Sequence, residues 1–122
     1  MTERRFTVEE ADAELADLRE RLPRLRQARR DLIAASERIT ERVAADGGGV
    51  SEAGWFTYQQ TLKDDLASLA ERGILLRDPE MGLVDFPTER DGKRVMLCWK
   101  LGEERVAHFH TERAGMRGRR PL

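Results

Sequence analysis

The 122-residue chain is poor in the features that usually announce a function. Its single cysteine cannot close an internal disulfide, which is typical of a protein in a reducing compartment. It has no signal-peptide core and no apolar run near the roughly 18 residues of a membrane span. Lys plus Arg (22) nearly balances Asp plus Glu (23), so no global field attracts nucleic acid or anionic lipid. We therefore expect a cytoplasmic protein that binds neither nucleic acid nor membranes.

Aromatic residues are also scarce, at 6%, whereas charged residues reach 37%. This composition indicates long solvated helices over a slim core. Domains usually have about 100–150 residues, so we expect residues 1–122 to form a single domain. Within it the patterns predict a helical part at 7–73, a β-meander at 82–111 and a basic tail at 112–122. A chain of this size needs no metal or disulfide to fold.

The first helix has a clear start signal, because Thr7 and Glu10 form a capping box and Phe6 can pack onto the first turn. Aliphatic side chains then recur every seven residues. This seam consists of Leu18, Leu25, Leu32 and Ile39. Pro23 either kinks one long helix or begins a second one, and the unbroken phase of the seam favours the kink. The seam exceeds what one shorter helix can cover, so we expect a homodimer.

A second helix is predicted between Ser51, its N-cap, and Gly73, its end. It carries an apolar face that includes Trp55 and Leu69. The glycines at 47–49 terminate the first helix. Because the linker is short, we expect the two helices to form an antiparallel hairpin.

From Gly82 onward the periodicity changes to two, which predicts strands at 83–89, 94–100 and 105–111. The fold class is therefore α+β, with the helical hairpin packed on a three-stranded antiparallel meander. Asp91-Gly92 is a strong two-residue hairpin turn, and Gly102-Glu103 fits a second one. With these turns Val84 lies opposite Trp99, which lies opposite Val106.

This register decides which polar side chains meet. It places His108 and His110 on the face of Phe86, whereas Asp85 and Cys98 lie on the other face. This register argues against a Cys–His pair. An error of one residue in either turn exchanges the faces of a strand.

Several motifs of this chain are similar to those of a known protein family: Phe6-Thr-Val-Glu-Glu-Ala, Gly82-Leu-Val-Asp-Phe-Pro, Leu97-Cys-Trp-Lys-Leu-Gly-Glu and Gly118-Arg-Arg-Pro-Leu. They resemble the bacterial and archaeal proteins catalogued as domain of unknown function 2203. The resemblance implies a helical N-terminal part, a β-rich C-terminal part and no established activity. Phe109-His110 and Glu112 match family positions that carry an aromatic residue, a histidine and then an acid. His108 is peculiar to this chain.

Metal binding is one interpretation of the histidines. His108 and His110 alternate on one strand, so their rings point the same way about 6.5–7 Å apart. Glu112, which continues the parity, or Glu103 from the turn can add a third ligand. The alternative is that both histidines are structural hydrogen-bonding groups.

Asp85, in mid-strand, also has two interpretations. A buried carboxylate needs a partner, and an arginine of the tail is the preferred one. The functional alternative makes Asp85 an acid or base beside His110. Arg119 belongs to a glycine- and arginine-rich tail that can clamp an anion. By contrast, the basic run at 19–30 spreads around its helix, which favours a solvated face with intrahelical ion pairs.

We therefore expect a non-catalytic binding module whose ligand site lies in the C-terminal β-part, with Trp99, Glu103 and Arg119 as ligand-binding residues. The ligand is a protein partner or a small anion. No cofactor is expected. The alternative is a metal-binding protein or enzyme that uses His110 with Asp85 and Glu103, a divalent metal and Arg119 as anion clamp.

Overall fold

The computed structural model describes residues 3–46 and 55–122, and the side chains of these residues except those at 42–46. The helices are α1 (Val8–Ala13), α2 (Leu15–Asp46) and α3 (Trp55–Glu71). The strands are β1 (Leu75–Asp78), β2 (Leu83–Arg90), β3 (Lys93–Lys100), β4 (His108–Thr111) and β5 (Arg120–Pro121), with a short 3₁₀ turn at Met116–Gly118. The predicted α+β class is confirmed.

The N-terminal helices follow the predicted start but are interrupted at an unpredicted place. Thr7 and Glu10 form the capping box, each side chain bonding the other residue's backbone N–H. The helix breaks at Glu14, one turn later. Pro23 lies inside α2, which continues across it. One long helix through Pro23 is thus the arrangement that forms.

Helices α2 and α3 pack antiparallel. Trp55 at the start of α3 donates to Ser36 Oγ at 3.1 Å, whereas Arg72, just after α3, pairs with Asp17 near the start of α2. Gly73, with φ +77°, ends the helix as predicted. The predicted Ser51 cap and the glycine turn at 47–49 lie outside the described residues.

The sheet has five antiparallel strands in chain order, and the predicted three-stranded meander is therefore incomplete. The Asp91-Gly92 turn joins β2 to β3, and Val84 lies opposite Trp99, as predicted. The additional strands are β1, which pairs with β2, and β5, which pairs with β4.

The predicted register between β3 and β4 is wrong by one residue. Cys98 lies opposite His108, and Met96 lies opposite His110. A turn does form at Glu103, whose N–H donates to the carbonyl of Lys100, but the chain rejoins the sheet only at His108. Asp12 of α1 holds the intervening segment by accepting the N–H of Val106 at 2.8 Å.

Both faces of the sheet bury side chains, but one face is apolar and the other includes charged and polar residues. Val84, Phe86, Leu97 and Trp99 join the leucines of α2 in the hydrophobic core. The opposite face buries Asp85, Met96, Cys98 and His110. The one-residue shift places the histidines with Cys98 and Asp85, so the argument against a Cys–His pair, which depended on the predicted register, was wrong. Within residues 3–46 and 55–122, no helix combines the length and apolar character that a membrane crossing requires.

Candidate functional site: a buried polar cluster and a basic groove

A buried ion-pair cluster lies on the sheet face that turns away from the helices. His110 Nε2 lies 3.0 Å from Asp85 Oδ1 and 3.1 Å from Oδ2. The two side chains are only 5% and 1% exposed. Arg77 Nε donates to Asp85 Oδ2 at 2.9 Å. The Asp85 carboxylate of β2 therefore has partners from strands on either side of it in the sheet, β1 and β4.

The other nitrogen of His110 also has an oxygen partner. Nδ1 lies 2.8 Å from the backbone carbonyl of Thr111. A neutral imidazole has a single N–H, so only the doubly protonated ring can donate to both Thr111 and Asp85. The same carbonyl accepts the N–H of Gly115 at 3.2 Å, which links the ring to the tail.

Cys98 completes this cluster without being a nucleophile. Burial, followed by the nearby Asp85 carboxylate, raises the pKa of the Cys98 thiol to about 12. At neutral pH the residue is a thiol, and the thiolate is the reactive species. Nonetheless, one ligand atom each from Asp85, Cys98 and His110 lies within 4.8 Å of the others.

A second polar cluster joins the tail to β4. Arg119 donates to Glu103 Oε2 and to His108 Nδ1, both at 2.6 Å. Since a guanidinium only donates, Nδ1 of His108 is the unprotonated nitrogen of its ring. Within the described part of the chain, the buried Nε of Arg119 has no hydrogen-bond partner.

The structure groups the predicted site residues differently from the sequence. Glu103 and Arg119 meet, but Trp99 is fully buried on the helix-facing side and reaches Glu103 only through its indole N–H, which donates to the backbone carbonyl at 3.1 Å. Glu112 is 65% exposed and pairs with Arg94, so it does not join the two histidines.

The expected partner of Asp85 also needs correction. The arginine is Arg77 of β1 and not a residue of the tail. Because Leu75 pairs with Asp85, the unpredicted edge strand β1 brings Arg77 to the carboxylate. The functional alternative, Asp85 beside His110, corresponds to the observed contact.

An open groove of about 590 Å³ lies over the outer ends of β3 and β4. Five basic and two acidic side chains line it, together with Phe109. The basic residues are Arg90, Lys93, Arg94, Arg113 and Arg120. The guanidinium of Arg90 lies 4.2 Å from the centre of the Phe109 ring, a cation–π contact.

The cations of this groove differ in their partners. Arg94 pairs with Glu3 and Glu112, and hydrogen bonding to Glu3 is the main cause that raises the pKa of Arg94. Lys93, Arg113 and Arg120 form no ion pair with any residue in the ranges 3–41 and 55–122. Their charge is therefore available to a ligand.

Comparison with family models decides where the chain belongs. The model described as uncharacterized conserved protein (DUF2203) matches residues 4–122. The chain belongs to the DUF2203 family. The resemblance of its motifs is thereby confirmed, and the family description assigns no activity. No curated protein and no solved structure matches the chain.

The groove of this DUF2203 member could not be recognised from sequence spacing. Its cations come from the β2–β3 hairpin, the segment after β4, and β5, which only the folded sheet brings together. A neighbouring groove of about 460 Å³ shares Arg90 and Val95 with it. That groove has a more apolar lining, including Phe6, Leu97 and Leu122.

The arginines of the basic run of α2 pair mostly with residues of other elements, and not within the helix as expected. Arg21 and Arg24 pair with the buried carboxylate of Asp65 in α3. Arg29 and Arg30 pair with Glu80, beyond β1. Arg21 also pairs within α2, with Asp17. These arginines hold α2 against the rest of the protein.

Proposed function

We propose that the protein is a non-catalytic binding module that holds a small organic anion in the groove beside Phe109. The observation that carries this proposal is the excess of cations there, five against two acids, with Lys93, Arg113 and Arg120 lacking ion-pair partners in the described chain. Arginine forks match the geometry of carboxylates and phosphates.

The apolar surroundings of the groove favour an anion that also has an apolar portion. The half-buried Phe109 ring lies in the wall, and the adjoining groove presents Val8, Leu97 and Leu122. A phosphate monoester or a free carboxylate at the cationic end can place its apolar part there. Ligand pockets commonly combine a mainly apolar lining with a few charged groups that fix the orientation.

Burial argues against catalysis on a dissolved substrate. Asp85, Cys98 and His110 are all buried, and the thiol of Cys98 has its pKa raised by that burial. Binding therefore accounts for the groove better than a reaction does.

Calorimetric titration at low salt tests the proposal, with phenyl phosphate, inorganic phosphate and phenol as probes. We expect phenyl phosphate to bind most tightly, because it engages both the cations and Phe109. The double variant Arg113→Ala/Arg120→Ala should weaken it by at least about tenfold, since one charge-assisted hydrogen bond contributes about 1.5–3 kcal/mol.

Arg105→Ala/Arg117→Ala is the matched control, because both arginines are exposed and neither lines the groove. It removes the same charge and should bind phenyl phosphate as the wild type does. Equal weakening in both double variants would show that the loss of affinity comes from net charge and not from the groove. Undetectable binding of both phosphate probes to the wild type would refute the proposal.

Leu18 and Leu25 of the predicted seam are buried in the core of this chain, so self-association stays a prediction for the remaining part around Leu32 and Ile39. Ile33 in α2 is 43% exposed, and next to it Leu32, Ser36 and Thr40 help to line an open groove of about 530 Å³. This uncovered surface supports a homodimer, which sedimentation at micromolar concentration can detect.

A further inference from the structure

We propose that Asp85, Cys98 and His110 form a binding site for a divalent metal of the zinc type. Three neighbouring strands supply the residues: Asp85 from β2, Cys98 from β3 and His110 from β4. One ligand atom of each lies within 4.8 Å of the others, and all three residues are buried. This set is distinct from the groove, and the proposal does not depend on the ligand bound there.

The separation of the oxygen and nitrogen ligands is close to what a tetrahedral ion requires. Oxygen and nitrogen ligands lie about 2.0–2.1 Å from zinc, which places two of them roughly 3.3 Å apart. The distance from Asp85 Oδ1 to His110 Nε2 is 3.0 Å. An ion between these two atoms thus needs only a shift of a few tenths of an ångström in their separation. Its binding would release to solvent the proton between Asp85 and His110 and the S–H proton of Cys98, whose ligand atom lies within 4.8 Å of the other two.

The donor set selects the class of metal. Imidazole nitrogen, thiolate sulfur and carboxylate oxygen together suit Zn²⁺ and neighbouring transition metals. Ca²⁺ and Mg²⁺ prefer oxygen ligands, and this set offers them one carboxylate. Three protein ligands leave a fourth position for water or an added ligand.

The surrounding contacts orient the ligands as in metal sites. A metal-bound histidine usually donates its other N–H to a carbonyl or carboxylate, and His110 Nδ1 lies 2.8 Å from the carbonyl of Thr111. Arg77 occupies Asp85 Oδ2, which leaves Oδ1 for the ion. Both outer partners already exist in the fold.

His108 provides the contrast within the same strand. Its Nδ1 accepts from the Arg119 guanidinium at 2.6 Å, so a fixed positive charge lies where an ion would approach that nitrogen. The alternative set of His108, His110 and Glu112 is also disfavoured because Glu112 pairs with Arg94. His108 is therefore a matched control for His110.

The experiment uses the full chain, stripped of metal with a chelator and titrated with Zn²⁺ against a chromophoric competitor. We expect one equivalent to bind to the wild type and to His108→Gln. His110→Gln and Cys98→Ala should each bind about a hundredfold more weakly or not at all, since even outer partners of metal ligands change affinity by about 10–100-fold. Circular dichroism verifies that each variant folds.

Cobalt substitution tests the thiolate directly and needs no variant. Co²⁺ bound to the wild type should give a sulfur-to-cobalt charge-transfer band, also in His108→Gln. Co²⁺ binding without this band would show that Cys98 is not a ligand. This test remains valid even if Cys98→Ala fails to fold. No Zn²⁺ binding by the wild type, or equal losses in His108→Gln and His110→Gln, overturns the site.

Discussion

The two faces of the sheet are both buried, but they gain their burial from different interactions. The helix-facing side is apolar where it meets the helices, with Phe86 and Trp99 at its centre. The opposite side buries Asp85 and His110, which satisfy each other and Arg77. Apolar burial is favourable at about 25 cal/mol per Å², whereas a buried ion pair roughly offsets its own desolvation. The apolar side therefore supplies net stability, whereas the polar side adds little to it.

The largest effect is expected from the apolar side. Phe86 is fully buried, and its ring meets that of Phe6 edge to face with centroids 5.1 Å apart. Phe86→Ala should lower the free energy of unfolding by about 3–5 kcal/mol, since it removes a buried ring and leaves a cavity. Urea denaturation measures the loss. A loss below about 1 kcal/mol would contradict the assignment of stability to this face.

The polar side should respond less strongly. Asp85→Asn leaves Arg77 and His110 without their carboxylate, and breaking a buried pair costs about 3–5 kcal/mol. Arg77 is partly exposed and can turn to water, so we expect a loss of about 3 kcal/mol, at the lower end of that range.

Glu89→Gln is the control for Asp85→Asn. Glu89 pairs with Arg5 at the surface, where such pairs contribute about 0–1 kcal/mol. The same denaturation series measures both variants. If Asp85→Asn is as stable as the wild type, the cluster contributes nothing to folding and its role is confined to a site.

The smallest effect concerns a polar contact that holds the helices over the apolar face. Hydrogen bonding to Arg21, with further contributions from Arg72, lowers the pKa of Asp17 to about 2. A lowered pKa stabilises the fold above the ordinary carboxyl value near 3.8, and this contribution is lost as the pH falls toward 2. Asp17 is 41% exposed, so we expect less than about 1 kcal/mol.

Asp17→Asn should therefore flatten the fall in stability between pH 4 and about 2, which acid denaturation curves measure. Glu9→Gln removes an exposed charge of α1 and serves as the control. An unchanged slope in Asp17→Asn would show that the contact does not persist in solution.

The sequence predicted correctly the parts of the fold that depend on interactions between residues close together in the chain. Thr7 with Glu10 sets the helix start, Gly73 sets a helix end, and Asp91-Gly92 sets the first hairpin and its register. The segment after Lys100 depends instead on Asp12, far away in the chain, which accepts the N–H of Val106. No pattern within 101–107 contains that information.

The sequence predicted residues of the candidate site, but not how they are arranged in space. Asp85 and His110 were both recognised, yet one residue of register decides whether they share a face. Arg77 was overlooked because β1 has only four residues and gives little periodicity. The cations of the groove come from separate segments, and only the pairing of β3, β4 and β5 gathers them.

The positions of the two tryptophans have a practical consequence. Trp99 is enclosed between the sheet and the helices, whereas the partly exposed Trp55 bonds Ser36 at the outer end of the helix pair. Each half of the molecule thus contains an intrinsic fluorophore in a different environment. With Trp55 replaced by phenylalanine, the remaining tryptophan emission would report how the helices pack on the sheet.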